Sequence, residues 1–498
     1  MNTIPPIFLQ HEGAASSTIG RASGKRYQST NQPLEKENTM ARTVCHHGAS
    51  KGRGCEHIGL GHFGRLFEGL DPLYISDETL AALGGPGGLM DTTGAPKDSD
   101  IPAAYTFFAQ FVDHDITLDT QSALNTDWVQ NPDKIPNLRS ASLDLDCVYG
   151  FGPEASPHLY DGDTEKLLTG NDQNENDLAR ASDGTALIGD PRNDENIFVS
   201  QMQLMFLRLH NKFIDMGMHF EEAQRECRYH YQYIVLHDFL RRVCDEEIYD
   251  FAVEQLYRHD FPMLYGPNEH EKLDMPVEFS VAAYRFGHSM VRSSFRVNRR
   301  YRDIELFDER FSTVGFTHVP VRLTVDWRYL LDMDGRIRYQ KSRKIDEKLA
   351  TELNNLPFVT DPNPNNRSLA FRNLVRGRSL GLPSGQAVAS ALADCGYPID
   401  PGVDLKLSQI TGWRGLSRDV KEELSEASPL FFYLLRESAL GERLGKTGSA
   451  ILMEVFGGML RYCSTSYLKD TGWSPSPVIS AADHRLTLAD IANFVSAS

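Results

Sequence analysis

The chain has 498 residues, 41% hydrophobic and 24% charged, enough to bury a large core as one big unit or as two or three domains. Its 51 Lys and Arg against 68 Asp and Glu leave a formal charge of −17, which argues against nucleic acid or an anionic membrane surface as a partner. No apolar run reaches the roughly 18 residues of a membrane-spanning helix, and seven cysteines, few and odd in number, fit free thiols better than a disulfide framework.

Residues 1–39 are polar and aperiodic, the pattern of a disordered extension. Their opening lacks the basic start and long apolar stretch of a secretory signal, so a cytoplasmic location or leaderless export is expected. Residues 40–100 form a Gly-rich segment expected to wrap the rest of the chain. It holds Cys45, His46, His47, Cys55 and His57, whose spacing matches no common zinc pattern; a glycine-rich connection is the plainer reading.

Asp100-Ile101-Pro102 reads as a helix start, with proline in the first turn after an aspartate cap. The helix so opened contains FFAQFVDHDITLD, Phe107–Asp119, two acids and a histidine within a run of aromatics and aliphatics. Gln110, Asp113 and His114 fall three and four apart and share one face, while Asp115 is turned by about 100° and needs a different partner. Ser140–Gly152, SASLDLDCVYGFG, alternates at period two like an extended segment, with Ser140, Ser142, Asp144 and Asp146 on one edge. Carboxylates and hydroxyls without a nearby cation suit a hard cation such as calcium; a solvated acidic strand is the competing reading.

ALIGDPRNDEN leads into IFVSQMQLMFLRLHNKFIDMG, whose apolar stripe predicts a helix with Asp194 and Glu195 in its first turn, where acids favour the helix dipole. Arg192 sits just before it, on a connection that Gly189 and Pro191 can turn tightly. A second long helix is expected over about 227–256. A third runs over Glu278–Phe295, with Arg285 and His288 three apart and Gly287 leaving room for something large against the backbone. SLAFRNLVRGRSLGLPSG carries Asn373, Arg376 and Arg378 ahead of a Gly-Leu-Pro stop, and the remainder reads as helices. The expected organisation is mainly α, one large helical domain over 101–475 with little β, and a helical tail over 476–498.

These blocks, in this order, resemble the animal-type haem peroxidases of the peroxidase–cyclooxygenase superfamily, and most of all a bacterial member. FAQFVDHDITLD resembles the family's distal helix, LDLDCVYG its calcium loop, GDPRNDEN its distal arginine segment, AYRFGHSMVR its proximal helix, and FRNLVRGRSLGLP the asparagine–arginine block that follows. The resemblance implies haem b held between two helices, calcium, hydrogen peroxide as oxidant and a small halide or phenolic donor. It implies His114 as the acid–base residue, Arg192 as the charge that stabilises the breaking oxygen–oxygen bond, and Gln110 as the holder of the water network. It implies His288 as axial iron ligand, Asn373 as acceptor of a hydrogen bond from its far nitrogen, and Arg285 and Arg376 as partners of the haem propionates.

Asp113 and Glu195 match the positions that form ester links to haem methyl groups. Asn196 stands where some mammalian members carry a methionine, so a sulfonium link is ruled out. Asp115, Ser140, Ser142 (through its carbonyl), Asp144 and Asp146 match the calcium ligands. Fatty-acid dioxygenases share the fold but place a tyrosine three residues before the axial histidine; here Arg285 holds that position and Tyr284 is one residue off. A peroxidase is therefore expected, with a fatty-acid dioxygenase and a non-catalytic haem-binding module as alternatives.

Overall fold

The computed structural model describes residues 61–496 except 93–96, 120–130, 259, 309, 310, 312, 334, 358 and 481–484. The readings of residues 1–39 and of Cys45, His46, His47, Cys55 and His57 lie outside the described residues. Among those described, strands are two to five residues long and gather into one three-stranded and three two-stranded sheets, so the fold is mainly α with minor β content. The five described cysteines are all free. No helix among the described residues is long and apolar enough to cross a membrane.

The first helices are α1 (Asp77–Gly84), α2 (Ala104–Ile116), α3 (Asp146–Tyr149), α4 (Gly152–Ala155), α5 (Ile197–Asp215) and α6 (Phe220–Ile234). Helix α2 lies at the centre of the core, with Tyr105, Phe107, Phe108, Phe111 and Val112 all buried. Its rings meet those of the surrounding helices: Phe107 stacks on Phe198 at 4.4 Å, Phe111 on Phe206 at 4.7 Å, and Phe108 meets Phe239 edge-on at 5.6 Å. Each such pair adds about 0.5–1.5 kcal/mol beyond the area it buries. A helix apolar on nearly every side is stable only when neighbours enclose it, and this burial fixes where its few polar side chains can go.

The expected cap at Asp100 is not formed. Residues Asp98–Pro102 instead make a strand paired with Lys341–Arg343, and α2 begins two residues later. Its first amides are met by tertiary partners, Ala103 N donating to Gln340 O at 2.9 Å and Ala104 N to Leu330 O at 3.1 Å, so no side-chain cap is required. The Ser140–Gly152 stretch is not a strand either. Leu145 takes a left-handed conformation (φ +62°) and turns the chain into α3. The long helix expected over 227–256 passes through a π-helical turn at Val235–Leu240 and breaks at Cys244 before Glu246–Arg258 resumes.

The stretch expected as a helix over Glu278–Phe295 is a π-helical turn, Glu278–Ala282, running into a 3₁₀ segment, Ala283–Met290. The fully buried Glu278 carboxylate accepts from Leu66 N at 2.9 Å and Phe67 N at 3.4 Å, tying the N-terminal described segment to the start of this element. At the other end of the chain, Leu488–Ser496 packs on α5.

Candidate active site

A cavity enclosing about 1220 Å³, part of it open to solvent, lies between α2 and the 3₁₀ segment. Gln110, Asp113, His114, Arg192, Glu195, Arg285, His288, Asn373 and Arg376 all border it. On the α2 side the helical period sets Gln110, Asp113 and His114 in one row. Opposite them, three residues per turn align Arg285 with His288, and Gly287 leaves only Ala109 Cβ within 4 Å of where its own Cβ would stand. Helix Leu369–Ser379, capped by Ser368, supplies Asn373 and Arg376.

His114 Nδ1 lies 2.7 Å from Asn193 Oδ1, which leaves Nε2 as the nitrogen available to the cavity. Burial, and then the Arg192 charge, push the His114 pKa down to about 3, so the ring is neutral at ordinary pH. Arg192 is held rigidly: Nη2 donates to His114 O at 2.9 Å, Thr117 O at 2.7 Å and Asp190 Oδ2 at 2.8 Å, and Nε donates to Asp190 Oδ1 at 3.1 Å. Burial of Asp190 works against its charge, but Arg192 and Arg139 outweigh it and hold that carboxyl below its usual range.

Glu195 does not cap α5 as a first-turn acid would. Asn196 takes that role, its Oδ1 accepting from Phe198 N at 3.0 Å and Val199 N at 2.9 Å. Asp194 instead pairs in bidentate fashion with Arg180 at 2.6 and 2.8 Å. Gly315 (φ +78°) lets the loop bring Phe316 N to Asp194 O at 2.7 Å; a Cβ there would lie 2.1 Å from that oxygen. The result turns Glu195 into the cavity, where Oε1 accepts from Gln110 and Oε2 is buried with no partner among the described residues. Burial raises Glu195 well above the usual carboxyl range. It raises Asp113 as well, against the opposing charges of Arg192 and Arg285.

On the far wall, burial and then Arg285 push the His288 pKa down to about 3. The expected polarity of its hydrogen bond is reversed: Asn373 presents Nδ2, not Oδ1, to His288 Nδ1 at 2.9 Å. The reason is Arg285, whose Nη1 donates to Asn373 Oδ1 at 2.6 Å and so holds the amide oxygen. An imidazole that accepts at Nδ1 keeps its proton on Nε2, and ligation through Nε2 requires that amide to turn over. Arg376 is likewise engaged by protein, its Nη1 lying 3.3 Å from Asp119 Oδ2. Tyr284, one residue before Arg285, also borders the cavity, its hydroxyl donating to Ala109 O at 3.1 Å.

The acidic residues fall together but not as a cage. Asp115 Oδ2 accepts from Leu145 N at 3.1 Å and Oδ1 from Cys147 N at 3.4 Å, Ser140 Oγ donates to Asp144 Oδ2 at 2.9 Å, and Ser142 Oγ lies 3.0 Å from Cys463 Sγ. Among the described residues no group of three or more His, Cys, Asp or Glu is arranged to hold a metal ion. Burial first, then mutual repulsion, raises Asp115 and Asp146 to about 7 and Asp144 to about 6, and Asp144 Oδ1 is buried without a partner among the described residues.

Sequence reasoning gave no role to Asp190 and Asn193, which flank Arg192, or to Arg180. A cluster of Asp, Arg and Asn beside a candidate arginine was the available signal, but only contacts across the fold give those residues their partners.

The sequence profile described as animal haem peroxidase matches residues 120–392, more than half of the chain. The chain is 27% identical over 268 residues to the chorion peroxidase of Drosophila melanogaster, covering 49% of this chain and 32% of that protein. It is 30% identical over 180 residues to a peroxidase-like protein of Margaritifera margaritifera, covering 32% of this chain and 22% of that protein. The aligned regions thus span under a third of the length of these relatives. Similar solved folds include peroxidase A of Dictyostelium discoideum (TM-score 0.54, 16% identity, covering 82% of this chain and 88% of that one). Another is the fatty acid alpha-dioxygenase of Oryza sativa (TM-score 0.57, 16% identity, covering 89% and 80%). With the family profile spanning most of the cavity-lining segments and a mainly helical fold shared with these proteins, the chain belongs to the animal haem peroxidase family.

Proposed function

We propose that this protein is a haem-dependent peroxidase that reduces hydrogen peroxide while oxidising a small halide or phenolic donor. The observation that carries the reading is that two neutral imidazoles, buried His114 and half-buried His288, border one cavity from opposite elements, each with Nδ1 engaged by an asparagine. The remaining lining suits a porphyrin dicarboxylate: Arg285, Arg372 and Arg376 supply cations, and Glu195, whose Oε2 has no partner among the described residues, and half-buried Asp113 are carboxyls that an ester link would neutralise. When bound through His288, haem would supply the redox iron that passes electrons from donor to peroxide.

The chain's own residues do the rest. His114 Nε2 takes the proton from one peroxide oxygen and delivers it to the oxygen that leaves. Arg192 keeps Nη1 as the donor not committed to protein, a fixed positive group beside the developing negative charge. Gln110, held between Glu195 and Asn196, orders water or a small anion next to His114. With Arg285 engaged by a propionate, Asn373 Oδ1 would be free to accept from His288 Nδ1–H, and His288 Nε2 would keep the lone pair that would hold the iron. Calcium, taken through Asp115, Ser140, Ser142, Asp144 and Asp146, is part of the same reading, as is the bacterial-type affiliation; both rest on sequence resemblance.

Purified protein reconstituted with haem is expected to show a Soret band and peroxide-dependent oxidation of guaiacol or iodide; no Soret band after reconstitution would overturn the proposal. Acid-acetone extraction is expected to leave haem on the chain if Asp113 and Glu195 are esterified, and complete release removes the ester claim. Tyr284 on the cavity wall gives one observation to the second reading, a fatty-acid dioxygenase. Dioxygen uptake with a long-chain fatty acid, without donor oxidation, would select it.

A further inference from the structure

A file of amide groups runs from His114 to the backbone, through residues that do not line the cavity. His114 Nδ1 lies 2.7 Å from Asn193 Oδ1, Asn193 Nδ2 donates to Gln203 Oε1 at 2.8 Å, and Gln203 Nε2 donates to the carbonyl oxygen of Cys147 at 3.0 Å. Asn193, Gln203 and Cys147 are wholly buried.

The direction of this chain is set from its far end. A backbone carbonyl can only accept, so Gln203 must present its nitrogen to Cys147 and its oxygen to Asn193. Asn193 must then present its nitrogen to Gln203 and its oxygen to His114. Turning either amide over would set donor against donor or acceptor against acceptor where no solvent can mend it. His114 is left one choice: the proton sits on Nδ1 and Nε2 carries a lone pair.

We propose that Asn193 and Gln203 are positioning residues that lock His114 in the Nδ1–H tautomer, so that Nε2 faces the cavity as a base. The proposal rests on His114 being the group that takes the peroxide proton. A carboxylate in place of Asn193 would also force the proton onto Nδ1, but its charge would make the ring easier to protonate and so blunt it as a base near neutral pH. Two amides pass on the direction without adding charge.

The fold protects the end of the chain. A Cβ on Gly189 would lie 2.7 Å from Cys147 O and 2.5 Å from Asp146 O, so a residue without one lets the connection carrying Asn193 lie against that carbonyl. Gln203 comes from the second turn of α5, a helix fixed by stacked rings on α2. The acceptor, the two relay amides and the histidine therefore belong to four elements packed on one another.

Gln203→Met, close in volume but unable to direct Asn193, tests the lock. In ¹⁵N-histidine-labelled protein without haem, with the His114 signals identified by their loss in His114→Gln, wild type is expected to show only Nδ1–H and Gln203→Met a mixture of both tautomers. In the haem-loaded protein, the second-order rate with hydrogen peroxide is expected to fall about tenfold in Gln203→Met. Adding Asn193→Asp, whose carboxylate can only accept, is expected to restore Nδ1–H but, because its charge makes the ring easier to protonate, only part of the rate. His114 remaining wholly Nδ1–H in Gln203→Met overturns the lock, whatever the rate does. A tautomer shift with an unchanged peroxide rate leaves the lock standing and removes His114 as the base, which is a failure of the proposed function instead. Should Gln203→Met not fold, Asn193→Ala decides the matter: a mixture of both tautomers supports the lock and a ring that stays wholly Nδ1–H overturns it.

Discussion

His114 and Asp115 are neighbours on α2 and look into two regions built on opposite principles. On the cavity side, charges are balanced by protein: Arg192 rests on Asp190 and two backbone carbonyls, and His114 on an amide. On the loop side burial and then mutual repulsion raise the pKa of three carboxylates, buried Asp115 and Asp144 and half-buried Asp146, and Asp144 Oδ1 has no partner among the described residues. The first region is largely paired within the protein, although Glu195 Oε2 has no partner among the described residues. The second holds an excess of negative charge that a cation or a proton would relieve, and it touches the first through the peptide unit of Cys147, whose N–H meets Asp115 and whose carbonyl meets Gln203.

The contrast can be broken most severely at the cavity. His114→Ala is expected to lower the peroxide rate by about 10²–10⁴-fold while the Soret band is retained; stopped-flow mixing reads it, and an unchanged rate would refute the assignment. The loop side should respond in stability instead. With calcium at a hundredfold excess over its dissociation constant, the folded state is expected to gain about 3 kcal/mol over chelated protein, read by denaturant unfolding, and Asp115→Asn is expected to erase most of that gain. A stability indifferent to chelator would make the acidic loop a protein-only staple, with Asp115 serving only the amides of Leu145 and Cys147.

A smaller effect comes from His210, whose Nδ1 lies 3.1 Å from the Tyr149 hydroxyl at the end of α3, next to the acidic loop. Burial lowers its pKa to about 4. Folding therefore favours the neutral ring: its contribution is complete above the unfolded pKa of about 6.5 and is lost as pH falls toward 4, at most about 3 kcal/mol. His210→Gln should flatten the stability profile between those pH values while leaving the peroxide rate at neutral pH unchanged. A profile as steep as wild type would assign the acid loss to other groups.

Much of the cavity was legible because helical spacing alone fixes which side chains share a face. Gln110, Asp113 and His114 needed only a period near 3.6, and Arg285 and His288 line up on a 3₁₀ segment as they would on an α-helix. Ser140–Gly152 was misread because alternation at period two describes a strand only where a neighbouring strand takes up its hydrogen bonds. Here Asp115 takes the amides of Leu145 and Cys147 and bends the chain into α3. Glu195 looked like a helix cap until Arg180, from a different segment, claimed Asp194, and Asn196 claimed the helix end.

By itself the sequence determined the family, the mainly helical class and the row of polar residues on α2, since these depend on local period and on motif order. Tertiary structure alone decided the polarities: that Asn373 offers nitrogen and not oxygen to His288, that Arg376 meets Asp119, and that Asn193 and Gln203 stand behind His114. An amide can face either way along a chain of bonds. Which way it faces depends on the last group in that chain, and in this protein that group lies tens of residues away in sequence.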